Sequence, residues 1–332
     1  MAKTKYAVKG AHRGLLLSLC LVLYACDPVV PAVEIEDWYF EDFQVYSYVP
    51  AEPRGIVYFF HGSGGSAEFA LRVETLDLIN GLLVRGYGFI ATESTERTAP
   101  RRWQVNDPSL QDNPDLSRLA RLHRELQNRA SISEQTPIFG VGMSNGARMV
   151  SLFAQTFHNA AYPVHAIVPV MGTVANPVAA SGGLTVPALF IEAENDTTVE
   201  NDQIRFDFLQ TKANGVAAQL LTKREEPLLD WRFTRVPSID MNEANQITSW
   251  AISTGVWSDE GSRQLSVNDA FSTLEQQSLD EIVEGDMREV RAQLANILAV
   301  HQFTALFKEH IADFFDSQLA HTTEGASSSS SK

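Results

Sequence analysis

A mostly parallel α/β sheet covered by helices on both faces is the fold this sequence predicts, and three observations predict it. Short apolar runs of the kind that form strands buried on two faces recur along the chain, as at 56–60, 88–92, 137–143, 165–171 and 186–193. The segments between several of them switch to helical spacing, giving strand and helix in alternation. Glycine-rich turns stand where two of the runs end, HGSGG at 61–65 and GVGMSNG at 140–146.

The elements follow in order. Residues 37–50 and 54–65 read as two extended segments, the second a buried strand that enters HGSGG. Helical spacing runs over 67–85 through Phe69, Leu71, Leu76, Leu78, Ile79, Leu82 and Leu83, and a strand follows at 88–95. A polar loop holding Pro100, Arg101, Arg102 and Trp103 leads to a helix striped by Leu116, Leu119, Leu122 and Leu126, with Asn113 or Asp112 as its cap. Strand 136–143, a helix from Asn145, and strands 165–172 and 186–195 continue the rhythm, and a helix over 199–213 and a strand over 217–224 extend it. Residues 225–298 are polar with helical periodicity and read as an inserted cap, whose aromatics Trp231, Phe233, Trp250, Trp257 and Phe271 suit either a substrate pocket or the packing of extra helices; the Arg101-Arg102-Trp103 loop is expected at the rim of the site beneath it. A last helix is expected over 302–319, and HTTEGASSSSSK at 321–332 is a low-complexity tail expected to be disordered.

With 332 residues, 44% of them hydrophobic, the chain can build a substantial core. Its net charge of −15 argues against a nucleic-acid partner, since phosphate contacts need clustered Lys and Arg. Residues 1–26 differ in kind: Lys3, Lys5, Lys9 and Arg13 without an acid, then GLLLSLCLVL, then YAC. This is the layout of an export signal, with an apolar stretch too short for a good membrane span. LYAC at 23–26 resembles the bacterial lipobox, so residues 1–25 are expected to be removed and Cys26 lipidated. Residues 27–36 then form a tether, and the protein is expected at the cell envelope, touching membrane only through that lipid. Cys20, the other cysteine, would leave with the signal, so no disulfide is expected.

Ser144 lies in G-x-S-x-G between an apolar strand and an amphipathic helix, the context in which a sharp turn exposes a nucleophilic serine. In so tight a turn the residues two before and two after the serine nearly touch, so Gly142 and Gly146 must lack side chains. HGSGG lets backbone approach a substrate closely, and the N–H groups of Ser63 and Asn145 are the expected oxyanion donors, with Gly64 the rival to Ser63. HGSGG lacks both the G-K-[ST] ending of a P-loop and the dinucleotide G-x-G-x-x-G.

HGSGGSA, GVGMSNGARM, VPALFIEAENDTTV and HQFTALFKEHIADFF together resemble the α/β-hydrolase superfamily, and within it exported esterases of the polyhydroxybutyrate depolymerase and feruloyl or acetylxylan esterase type. The likeness spans roughly residues 40–320 and implies an α/β-hydrolase domain over 37–320. It also implies a triad in the order serine, acid, histidine. The acid carried over is Asp196, ahead of Glu200 and Asp202; of the three histidines after Asp196 the one carried over is His301, which stands just before the last amphipathic segment, whereas His310 lies mid-helix and His321 in the tail. These imply a serine hydrolase acting on small or polymeric carboxylic esters without a cofactor or metal. A peptidase or perhydrolase would use the same residues, and a binding module would keep the fold without activity.

Overall fold

The computed structural model describes residues 34–129, 132–277 and 286–329, with side chains placed up to residue 320. The expected export signal, Cys26 and most of the tether lie outside the described residues. The chain begins with an antiparallel pair, β1 (Glu36–Phe40) and β2 (Phe43–Tyr48), and continues through β3 (Ile56–Phe60), α1 (Val73–Val84), β4 (Gly88–Thr92), α2 (Pro114–Arg129), β5 (Ile138–Met143) and α3 (Asn145–Asn159). Then come β6 (Val164–Val170), α4 (Asn176–Ala180), β7 (Ala188–Ala193), α5 (Asn201–Ala213) and β8 (Ala218–Lys223). Helices α6 (Met241–Ser253), α7 (Val267–Gln276) and α8 (Met287–Ile297) fill the inserted region, and α9 (Lys308–Ser329) closes the chain.

Among these residues, eight strands form one sheet in the order β1-β2-β4-β3-β5-β6-β7-β8. Strands β1 and β2 run antiparallel to their neighbours, and every pairing from β4 to β8 is parallel. This is the mostly parallel sheet that the strand and helix alternation predicts, and it agrees with the α/β-hydrolase fold that the motif resemblance implies. The apolar run of β3 shows why: Ile56, Tyr58 and Phe60 pack with Leu116, Leu119 and Phe153 under α2 and α3, whereas Val57 and Phe59 pack with Leu78, Ile311 and Phe315 under α1 and α9. A strand covered on both faces has no polar position to spare.

The topology also places the site. From β3 the chain moves outward to β4 and then returns to β5 on the opposite side, so the crevice outside the carboxyl ends of β3 and β5 is the switch point where open α/β sheets bind ligands. Phe60 is in register with Gly142, and HGSGG and Ser144 therefore leave the sheet side by side.

Asn113 is the cap of α2, its Oδ1 accepting the N–H groups of Asp115 (3.0 Å) and Leu116 (3.1 Å). The last helix departs from expectation at both ends. It starts at Lys308 because the preceding backbone is claimed elsewhere: Phe303 O accepts from Asn296 Nδ2 (3.0 Å) and Ala305 N–H donates to Glu74 (2.7 Å). It continues through Ser329, so the segment expected as a disordered tail is helical to that point.

One buried histidine gives the fold a pH dependence. His123 Nδ1 shares a 2.8 Å hydrogen bond with the Tyr58 hydroxyl, and burial lowers its pKa from 6.5 to about 4. The unfolded imidazole protonates near 6.5 and the folded one does not, so the stability from His123 is complete above 6.5 and is lost as pH falls towards 4. The loss approaches ~3 kcal/mol. Urea denaturation of His123→Gln beside the wild type should show a smaller loss between pH 6.5 and 4 in the variant; parallel profiles would contradict this.

Candidate active site

Ser144 joins β5 to α3 with φ 56° and ψ −117°, a conformation that side-chain-bearing residues avoid. Two hydrogen-bonding elements hold it there. Its N–H donates to Val170 O (2.9 Å), and its carbonyl accepts from Ala147 (3.0 Å) and Arg148 (3.3 Å). The flanking glycines are a steric necessity: a Cβ on Gly142 would stand 2.1 Å from Gly146 O, and one on Gly146 would stand 2.2 Å from Phe60 O. Gly172 is a third such position, one that no motif in the sequence marks, where a Cβ would come within 2.6 Å of Ser144 O.

The loop after β3 lies against this turn, close enough that a Cβ on Gly62 would be 3.4 Å from Ser144 Cβ. Within HGSGG, Gly64 N–H is taken by Arg101 O (2.8 Å) and Gly65 N–H by Gly62 O (3.1 Å). Ser63 N–H has no acceptor among the described residues, which favours Ser63 over Gly64 as a donor to a ligand. Asn145 begins α3, and the first N–H groups of a helix have no intrahelical acceptor. Ser63 and Ser144 line one cavity, and Asn145 directly follows Ser144.

A strap at residues 101–103, the loop expected at the rim of the site, holds these pieces together, and its bracing bonds carry no signal in the sequence. Trp103 N–H donates to Asn145 Oδ1 (2.7 Å), and its Nε1 donates to His61 O (2.9 Å). The buried indole lies on the His61 ring with centroids 4.9 Å apart. His61 donates from Nδ1 to Gly62 O (2.7 Å) and accepts Ser94 N–H at Nε2 (3.2 Å), which uses both ring nitrogens of a neutral imidazole. Burial lowers its pKa to about 4, opposed by the Gly62 hydrogen bond and assisted by the positive charges of Arg101 and Arg118. Both ring nitrogens of His61 are thus spent on holding the loop.

Asp196 and His301 meet although 105 residues separate them: His301 Nδ1 and Asp196 Oδ2 are 2.7 Å apart. Asp196 Oδ1 accepts the N–H groups of Thr198 (2.8 Å) and Val199 (3.1 Å), so the turn after β7 fixes a carboxylate whose side chain is fully buried. The rivals are elsewhere. Glu200 is the residue preceding α5, Asp202 is exposed beside Arg205, and His310 lies in α9 against Phe307. The side chain of His321 is outside the described residues.

Asn195, also without a sequence signal, explains how the distant loop is delivered. Its N–H donates to Ala299 O (3.0 Å) and its Nδ2 to Leu298 O (2.8 Å), tying the end of α8 to the turn that carries Asp196. Ala299 has φ 51°, where a glycine would ordinarily stand, and this left-handed residue stops α8 before His301.

Ser144 and His301 open into one cavity of about 1010 Å³, whose walls include Phe69 and Phe303 from the sheet domain and Phe271 and Leu274 from α7. Of the inserted aromatics only Phe271 lines it. Phe233 and Trp257 are buried in a separate core of the inserted helices, Trp250 packs against that core, and Trp231 is exposed.

No protein-family model matches the chain, and no curated protein matches it. Solved structures do show similarity. An arylesterase is 16% identical with a TM-score of 0.44, the match covering 59% of this chain and 77% of that one. An esterase from Pyrobaculum calidifontis is 18% identical with a TM-score of 0.45, covering 58% of this chain and 75% of that one. A carboxylesterase from Mesorhizobium loti is 17% identical with a TM-score of 0.42, covering 64% of this chain and 97% of that one. Similarities so remote carry neither activity nor substrate to this chain.

Proposed function

We propose that this protein is a serine hydrolase that cleaves carboxylic esters through an acyl-enzyme. The observation that carries the proposal is the convergence, at one cavity, of a serine on a strained turn, a histidine bonded to a buried aspartate, and uncommitted backbone N–H groups. Each part has a chemical use. His301 takes the Ser144 Oγ proton as the serine attacks the ester carbonyl, and Asp196 orients the ring through Nδ1 and stabilises the imidazolium. The N–H groups of Ser63 and Asn145 bear the charge that develops on the carbonyl oxygen. His301 then protonates the departing alcohol, and water activated by the same histidine releases the acid and restores Ser144.

A binding module on this fold would have no use for a serine held at positive φ, which costs about 1–3 kcal/mol. Export and anchoring through Cys26 belong to the same proposal and rest on the pattern of residues 1–26. The test is covalent labelling of the purified protein by a fluorophosphonate, which reacts with an activated serine. Stoichiometric labelling that maps to Ser144 is expected; a folded protein that stays unlabelled would overturn the proposal.

A further inference from the structure

The strap that braces the proposed oxyanion loop carries two arginines, Arg101 and Arg102. Arg101 O accepts Gly64 N–H and the next residue after Arg102 donates to Asn145, so both guanidinium groups are borne on backbone stitched to the turns that hold Ser63 and Ser144. Both line the cavity that Ser144 and His301 line, and Arg288 and Arg291 of α8 enter the same wall. In a chain with a net charge of −15, this concentration of cations at one cavity stands against the overall field.

The acids among the described residues of the wall do not cancel it. Glu289 is committed to Arg72, both of them cavity residues. Glu74 is committed to Arg235 (3.2 Å) and to Ala305 N–H (2.7 Å). Among the described residues of the wall, four arginines then remain against exposed Glu68 and Glu275. Their own bonds leave capacity: Arg101 has only a 3.5 Å ion pair with Glu93, which also serves Arg97, and Arg291 donates to Leu274 O at 3.3 Å. Arg102 is exposed and has no ion-pair partner among the described residues. A planar guanidinium with free N–H groups is the side chain suited to gripping a carboxylate.

We infer that the cavity selects esters that carry a carboxylate, held between Arg102 on the strap and Arg291 on the inserted helix. The inference rests on Ser144 being the nucleophile only for its hydrolytic readout. An anionic substrate would bridge the sheet domain and the inserted helices, giving the insertion a role in recognition as well as enclosure.

The experiment compares 4-nitrophenyl hemiglutarate with 4-nitrophenyl valerate, placing charge on the acyl side, and 4-acetoxybenzoate with phenyl acetate, placing it on the alcohol side. At least one pair should show about a tenfold higher kcat/KM for the anionic ester, shrinking towards parity at ~0.5 M salt. The ratio should fall severalfold in Arg102→Gln and in Arg291→Gln, and further in Arg102→Glu. Calorimetric binding of glutaramate against valeramide to the wild-type protein needs no turnover. Tighter binding of glutaramate that weakens in Arg102→Gln is expected. Ratios near one for both ester pairs, with equal amide binding, would overturn the inference and leave the hydrolase proposal standing. If no ester is hydrolysed, that proposal fails and the amide comparison alone decides the charge preference.

Discussion

Ser144→Gly should abolish ester hydrolysis and yet raise the melting temperature, whereas Ser144→Ala should abolish hydrolysis and leave stability nearly unchanged. The two variants separate the chemistry of the hydroxyl from the strain of the backbone that presents it. With φ 56° and ψ −117°, alanine inherits the steric cost of serine, while glycine is free of it. Relief of about 1–3 kcal/mol is partly offset by the greater freedom of glycine in the unfolded chain, about 0.5–1 kcal/mol. A net gain on the order of 1 kcal/mol shifts the melting temperature of a large domain by roughly 2 °C. Loss of the nucleophile should lower kcat by about four to six orders of magnitude in either variant. Substantial turnover by Ser144→Ala would remove Ser144 from the mechanism. A glycine variant less stable than the alanine variant would show that the turn stores no strain.

The parts of this site visible in the sequence are those governed by local sterics or by chain order. Gly142 and Gly146 betray the turn because their spacing reflects a contact within five residues, and the apolar runs betray strands because β3 and β5 are covered on both faces. Asp196 and His301 were reachable only through the order of parts in a resembling superfamily, since no spacing rule spans 105 residues. What stayed hidden is the bracing: Trp103 on Asn145 and His61, Asn195 on the loop after α8, and Gly172 beneath Ser144. Each rests on a few contacts between distant segments, made by a residue type with ordinary local uses. Ala299 is the instructive case. Its positive φ makes the turn before His301 that glycine would announce, and here the bonds from Asn195 to Leu298 O and Ala299 O hold the backbone instead. The start of α9 departs from the sequence expectation for a similar reason: Glu74, far away in the chain, captures Ala305 N–H.

His301→Ala should lower kcat by about three to six orders of magnitude, and His310→Ala should leave it within about twofold. The contrast follows from position. His301 opens into the cavity with Ser144 and has its Nδ1 fixed by Asp196, while His310 sits in α9 beside Phe307 and does not line the cavity. Asp196→Asn tests the remaining link by a different route. The asparagine amide would offer an N–H donor towards Nδ1, favouring the tautomer that leaves the proton on Nε2, where a free lone pair is needed to deprotonate Ser144. The expected loss is about 10⁴-fold in kcat at neutral pH, with little change in the position of the ring. Fluorophosphonate labelling should slow in parallel in His301→Ala and Asp196→Asn, because both remove activation of Ser144 while leaving its hydroxyl in place. Fast labelling of the His301 variant would mean that Ser144 is activated by another group, and equal turnover by the Asp196 variant would reduce the 2.7 Å contact to a structural one.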